Sequence, residues 1–172
     1  MIFVADTGPL NYLLLCGQVQ LLPELFGSLL IPPAVHQEIM NPQAPATVRA
    51  WAGNLPAWVK VQSPQNATRF ADLGPGEREA ISLAMEVSAD FVLMDETHGR
   101  QVAVANGVAV KGTLGVLEEA AGRGLVELRA ATNALKSTGI FLAEEIIEAA
   151  IERDRSRRQS LRERSKNPGL EP

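Results

Sequence analysis

Four acidic residues carry the strongest chemical signal in this chain: Asp6, Glu38, Glu77 and Asp95. Asp6 closes the apolar run from Ile2 to Ala5, and Asp95 closes the run from Phe91 to Met94. A lone aspartate after a strand ordinarily caps a helix or shapes a turn. Two at equivalent positions fall where open α/β sheets build their sites, beyond the carboxyl ends of the strands. Glu38 lies in an expected helix from Pro33 to Met40, next to the core candidates Ala34 and Val35. Glu77 lies near the start of a helix opened by Pro75, where the dipole favours a negative charge. On that helix it shares a face with Ala80, Ile81, Ala84 and Ser88, whereas Glu79 points nearly the opposite way.

Four carboxylates brought to one place repel one another unless a cation sits among them. Ligands that offer only oxygen select a hard ion, Mg²⁺ or Mn²⁺, over zinc. Such an ion activates water and holds phosphate oxygens, which is the chemistry of phosphodiester hydrolysis. Glu79 and Glu96 are the candidate substitutes among the metal ligands. Other chemistries fit less well. His36 and His98, the two histidines, stand in no nucleophile motif and read as surface or structural residues. A dehalogenase-type phosphotransferase needs a second aspartate two residues after Asp6, where this chain has Gly8. A receiver domain would use a strand-end lysine such as Lys111, but it also needs an acidic pair that the residues before Asp6 do not supply.

The elements that must position these acids alternate along the chain. Short apolar runs at Ile2–Ala5, Leu29–Ile31, Phe91–Met94 and Val108–Val110 are separated by helical patterns. That alternation predicts an α/β fold in three layers, a parallel sheet with helices on both faces. Helices are expected at Pro9–Leu14, Val19–Phe26, Pro33–Met40, Thr47–Gly53, Pro75–Ser88, Thr97–Asn106, Thr113–Ala121 and Val126–Lys136, with a last one from about Leu142. Trp58–Val61 reads as an edge strand and Ser63–Gly74 as loop. Trp51, Trp58 and Phe70 could stack on bases but read more simply as core or loop anchors.

With 172 residues and 46% hydrophobic content the chain suits one globular domain, and its net charge of −4 argues against a surface coated for nucleic acid. The exception is the C-terminal stretch, where Arg153, Arg155, Arg157, Arg158, Arg162, Arg164 and Lys166 outnumber Glu152, Asp154 and Glu163. The expected division is therefore a domain over 1–150 and a basic tail over 151–172, partly helical or disordered. Arg153, Arg157 and Arg158 are candidates for gripping phosphates beside an acidic site. The apolar face between Leu142 and Ile151 is a candidate subunit contact. The sole cysteine, Cys16, reads as a small core hydrophobe. No stretch reads as a signal peptide or a membrane span, so a cytoplasmic protein is expected.

Taken in combination, these segments resemble the PIN-domain family over roughly Met1 to Ala150. Phe3-Val4-Ala5-Asp6-Thr7 followed by Pro9-Leu10 resembles the opening strand and first acid. Pro32-Pro33-Ala34-Val35-His36-Gln37-Glu38 resembles the helix that brings the second. Leu73-Gly74-Pro75-Gly76-Glu77 and Ala89-Asp90 to Asp95 resemble the surroundings of the third and fourth. Lys111-Gly112-Thr113-Leu114-Gly115 is similar to a block of one subfamily described only as nucleic-acid-binding. The resemblance implies Mg²⁺ or Mn²⁺ dependence, ribonuclease activity and RNA as substrate, with Asp6, Glu38, Glu77 and Asp95 as the acids. Thr7 and Thr113, which lie within the matching blocks, become candidate substrate contacts. Relatives of the VapC toxin kind are held by antitoxins and often dimerise, so an antitoxin and a homodimer are the implied protein partners. The chain departs from those relatives at Gly8, where many carry serine, and in having glutamate at the third acidic position. A PIN-like module that binds RNA or protein without cutting is the alternative.

Overall fold

The computed structural model describes residues 1–67 and 70–166, with side chains to residue 163. Five strands form one parallel sheet: β1 (Ile2–Ala5), β2 (Ser28–Ile31), β3 (Val59–Val61), β4 (Phe91–Leu93) and β5 (Val110–Lys111). Their spatial order is β3-β2-β1-β4-β5. The chain therefore winds outward from β1 in one direction, returns, and winds outward from β4 in the other. The turning point lies between β1 and β4, whose register pairs Ala5 with Leu93. Doubly wound sheets open a crevice at this place, because the connections leave the two strand ends in opposite directions.

Helices cover both faces, as the alternation of apolar runs and helical patterns predicts. Residues 3, 5, 29, 31, 91 and 93 point to one face and join a core with α1 (Thr7–Leu15), α2 (Leu21–Phe26), α3 (Pro33–Met40), α4 (Ala46–Ala52), α7 (Thr113–Gly122), α8 (Leu128–Lys136) and α9 (Glu144–Lys166). Val4, Leu30 and Val92 point to the other face and meet α5 (Pro75–Glu86) and α6 (Thr97–Ala105). Burial on both faces explains why the central strands read as unbroken apolar runs. Phe3, Phe26 and Phe91 pack ring against ring with centroids 4.9–5.6 Å apart, and Lys111 lies over two of these rings while pairing with Glu119.

Several boundaries differ from the sequence reading, each for a local reason. The last strand begins at Val110 instead of Val108, because α6 ends in a turn at Gly107 (φ 78°) and the Val108 amide bonds back to Ala103. α8 starts at Leu128, two residues later than expected, where the Glu127 carboxylate accepts from the amides of Arg129 and Ala130. α9 starts at Glu144, after a turn at Gly139 (φ 86°), so that residues 140–142 stay outside the helix. It then runs without a break through residue 150 to Lys166; residues 167–172 of the expected tail lie outside the described residues. Of the apolar face between Leu142 and Ile151, Ile147, Ala150 and Ile151 are buried in the same core as residues of α7 and α8, while Ile146 is exposed. Among the described residues no helix is long and apolar enough to cross a membrane.

Candidate active site

Asp6 stands at the turning point of the sheet. Its amide completes the ladder by donating to Leu93 at 3.0 Å, and its extended backbone (φ −81°, ψ 168°) leads into α1. The bland expectation for this residue was a helix cap, yet its side chain forms no capping hydrogen bond. The carboxylate is instead held in the interior, 8% exposed. Burial pushes its pKa up from 3.8 to about 7; the nearby Thr7 and Gly8 amides oppose this, and the negative charges of Glu77 and Glu38 reinforce it.

Glu38 comes from the last turn of α3, which Pro33 starts at a position where its missing amide proton is no loss. One of its oxygens accepts from the Thr7 hydroxyl and the other from the Gly76 amide at 3.1 Å. The closeness of this corner is measured by Gly76 itself. A β-carbon there would come within 2.7 Å of Glu38 Oε2 and 3.1 Å of Asp6 Oδ1. Only glycine lets the first turn of α5 approach both acids.

Glu77 divides its two oxygens between structure and site. Oε2 accepts from the Gly74 amide at 3.1 Å, closing the start of α5. Oε1 is buried and, among the described residues, has no hydrogen-bond donor. A buried carboxylate oxygen without a partner is costly, and native structures keep few of them without a functional reason. It lies 2.9 Å from where a β-carbon on Gly99 would stand, so the start of α6 also crowds this corner.

Asp95 is held from the far side of the sheet. Its Oδ1 accepts from the Thr113 amide at 2.7 Å and its Oδ2 from the Thr113 hydroxyl at 2.5 Å. Thr113 is fully buried at the start of α7, so the helix fixes the acid rather than the reverse. Gly112 makes this clamp possible, since a β-carbon there would stand 2.9 Å from Asp95 Oδ1 and 3.0 Å from Arg100 Nη1. The Gly-Thr pair of the sequence block is thus the device that aims the fourth acid.

Asp6 and Asp95 line one cleft of about 310 Å³ together with Gly8, Tyr12, Glu96 and residues 140–142. Glu38 and Glu77 couple to it through Asp6. Of the other candidate ligands, Glu79 accepts from the Ala34 amide at 2.9 Å, away from the cleft, whereas Glu96 lines the cleft while one of its oxygens caps α6 by accepting from Gly99 at 2.9 Å. Thr7 and Thr113 both serve as donors to acids. Arg153 pairs with Glu118, Arg157 approaches Asp154 and the Glu118 carbonyl, and Arg158 pairs with Asp154, none of them lining the cleft. His36 contacts the Ala52 carbonyl and His98 pairs with Asp72, as structural roles require. Trp51, Trp58 and Phe70 pack against the cores.

Oxygen donors, an unpartnered buried carboxylate oxygen and an aspartate raised to about 7 are what a hard divalent cation would relieve. Among the described residues, however, no three His, Cys, Asp or Glu gather closely enough to enclose an ion, and both oxygens of Glu38 and of Asp95 accept from hydroxyl and amide donors. The sequence reading missed Tyr12, residues 140–142 and Arg100, which carry no periodic or motif signal. The roles of Gly76 and Gly112 had a signal: each glycine directly precedes a residue of an acid-bearing or acid-clamping motif. No curated protein and no solved structure matches the chain significantly. A family model described as the PIN domain does match, over residues 2–156, and with it the parallel sheet and its acid-lined edge take their place in a fold generally used by nucleases: the chain belongs to the PIN-domain family.

Proposed function

We propose that this protein is an endoribonuclease that hydrolyses RNA phosphodiester bonds with Mg²⁺ or Mn²⁺ held by Asp6, Glu38, Glu77 and Asp95. The observation that carries this reading is the corner where Glu77 Oε1, buried and without a hydrogen-bond partner among the described residues, lies beside a buried Asp6. Bound there, a divalent ion supplies an activated water and neutralises phosphate charge. The chain's own part is to hold the acids: Thr7 and Gly76 steady Glu38, Gly74 steadies Glu77, and Thr113 steadies Asp95. Asp6 is fixed by the strand ladder.

The test is cleavage of a mixed single-stranded RNA pool by purified protein with Mn²⁺, Mg²⁺ or EDTA, beside Asp6→Asn. Metal-dependent cutting that the variant lacks supports the proposal; equal cutting by both proteins would expose a contaminant and sink it. A non-cutting RNA- or protein-binding module is the second reading, favoured by the engagement of Glu38 and Asp95 with donors and by the missing hydroxyl at Gly8. Absence of both cleavage and calorimetric Mn²⁺ uptake would select it. A cytoplasmic setting, a restraining antitoxin and assembly of two copies belong to the first reading. Growth arrest on induced expression, absent for Asp6→Asn, would support the toxin role.

A further inference from the structure

The segment between α8 and α9 turns out to be part of the cleft. Thr138 and Gly139 end α8 in a turn, and the chain crosses the acidic edge before α9 begins at Glu144. Ile140 and Leu142 are half-buried and pack onto the main core. They pin the segment from both sides, and Phe141 between them is thrown outward, 94% exposed. No other large apolar side chain among the described residues is as exposed. Its position is not arbitrary, because residues 140–142 line the same cleft as Asp6, Gly8, Tyr12 and Asp95.

We propose that Phe141 is a stacking platform for one base of single-stranded RNA, next to the phosphate presented to the acids. The proposal rests on the ribonuclease reading for its substrate and deepens it by naming the residue that seats the strand. The cleft floor is acidic and repels the phosphate backbone on its own, so affinity must come in part from the bases. An aromatic ring takes any base by its π-face, which makes the contact tolerant of sequence. The segment that carries the ring is anchored by its half-buried neighbours Ile140 and Leu142, so little backbone ordering is needed when a base arrives. A duplex keeps its bases stacked on each other and offers no free face to such a ring. That points to an unpaired strand.

The experiment uses the full chain and a short single-stranded RNA with 2-aminopurine placed in turn at each position around the cut. Binding is read with the Asp6→Asn protein in Mn²⁺, so that it does not depend on cleavage. The expected result is quenching of the fluorophore at one position, lost in Asp6→Asn carrying Phe141→Ala and restored with Phe141→Trp. In otherwise wild-type protein, Phe141→Ala should raise KM about 10-fold, with the loss falling on KM more than on kcat. An abasic nucleotide at the quenched position should cost the wild type as much and the alanine variant nothing further. Equal binding and equal KM for Phe141→Ala overturn the platform. So does a change in oligomeric state by light scattering with no change in RNA binding, which would assign the ring to a second copy. Quenching without any cleavage keeps the platform while removing the nuclease reading on which its catalytic context rests.

Discussion

The acidic edge and the arginine-rich helix α9 are both dense in charge, and they are built on opposite principles. At the edge acids predominate, partly or wholly buried and incompletely partnered: Asp6 is 8% exposed and Glu77 Oε1 has no donor among the described residues. On α9 the charges alternate in sign and are mostly exposed and paired; the exception is Asp154, which is 6% exposed, pairs with Arg158 and, among the described residues, leaves Oδ1 without a hydrogen bond. Arg153 meets Glu118 and Arg155 meets Glu152 with both arginines exposed. Exposed pairs of this kind contribute little to stability and need no further explanation. Like charges packed around a buried acid lower stability, and a fold keeps them where chemistry needs them. The number of charges thus says less about function than whether the molecule has neutralised them.

The sharpest way to break this contrast is to remove one charge at the edge. Asp6→Asn should abolish metal-dependent cleavage, by roughly 100-fold or more, and should at the same time raise the thermal midpoint of the metal-free protein above pH 7. A variant that lost both activity and stability would show that Asp6 is an ordinary structural aspartate.

The same residue fixes a pH dependence. Its pKa is about 7 when folded against 3.8 ordinarily, so between those values the folded state keeps a proton that the unfolded state has shed. The unfolded state binds fewer protons, and stability therefore falls as pH rises from 3.8 to about 7. The loss is at most about 4 kcal/mol. Denaturant titrations in EDTA should show this slope, and Asp6→Asn should flatten it. Saturating Mn²⁺ should offset it, by about 2.7 kcal/mol at a hundredfold excess over Kd.

Crowding at the corner is tested by Gly76→Ala. The new β-carbon would displace the Glu38 carboxylate, and cleavage should fall about 10- to 100-fold. Alanine suits the first turn of a helix better than glycine by up to about 1 kcal/mol, so circular dichroism melts should shift little. A large drop in stability would mean that the approach is structural.

Thr113→Val removes the buried hydroxyl donor to Asp95 but leaves the amide in place. Activity should fall about 10-fold and stability by about 1 kcal/mol. On the other side of the contrast, Arg155→Ala should change unfolding free energy by less than about 0.5 kcal/mol, since both members of its pair are mostly exposed. A larger effect there would mean that α9 is held by its ion pairs rather than by Ile147, Ala150 and Ile151.

The layered α/β architecture is legible in the residues alone, because burial on both faces of a parallel sheet forces continuous apolar strands. The sequence also singled out Asp6 and Asp95 through their strand ends, and Glu77 through its helix face, all of which depend on neighbours close in the chain. Tertiary structure alone decided the rest. That Glu79 would be taken by the Ala34 amide depends on how α5 lies against α3, 45 residues away in sequence. That Asp95 would be clamped by Thr113, and that Gly76 would open the corner for Glu38, depends on approaches between elements that no local period encodes. Phe141 is the clearest case. Its neighbour Leu142 reads as the start of a helix, and only the turn at Gly139 and the anchoring of Ile140 and Leu142 in the core turn that short stretch into one wall of the cleft.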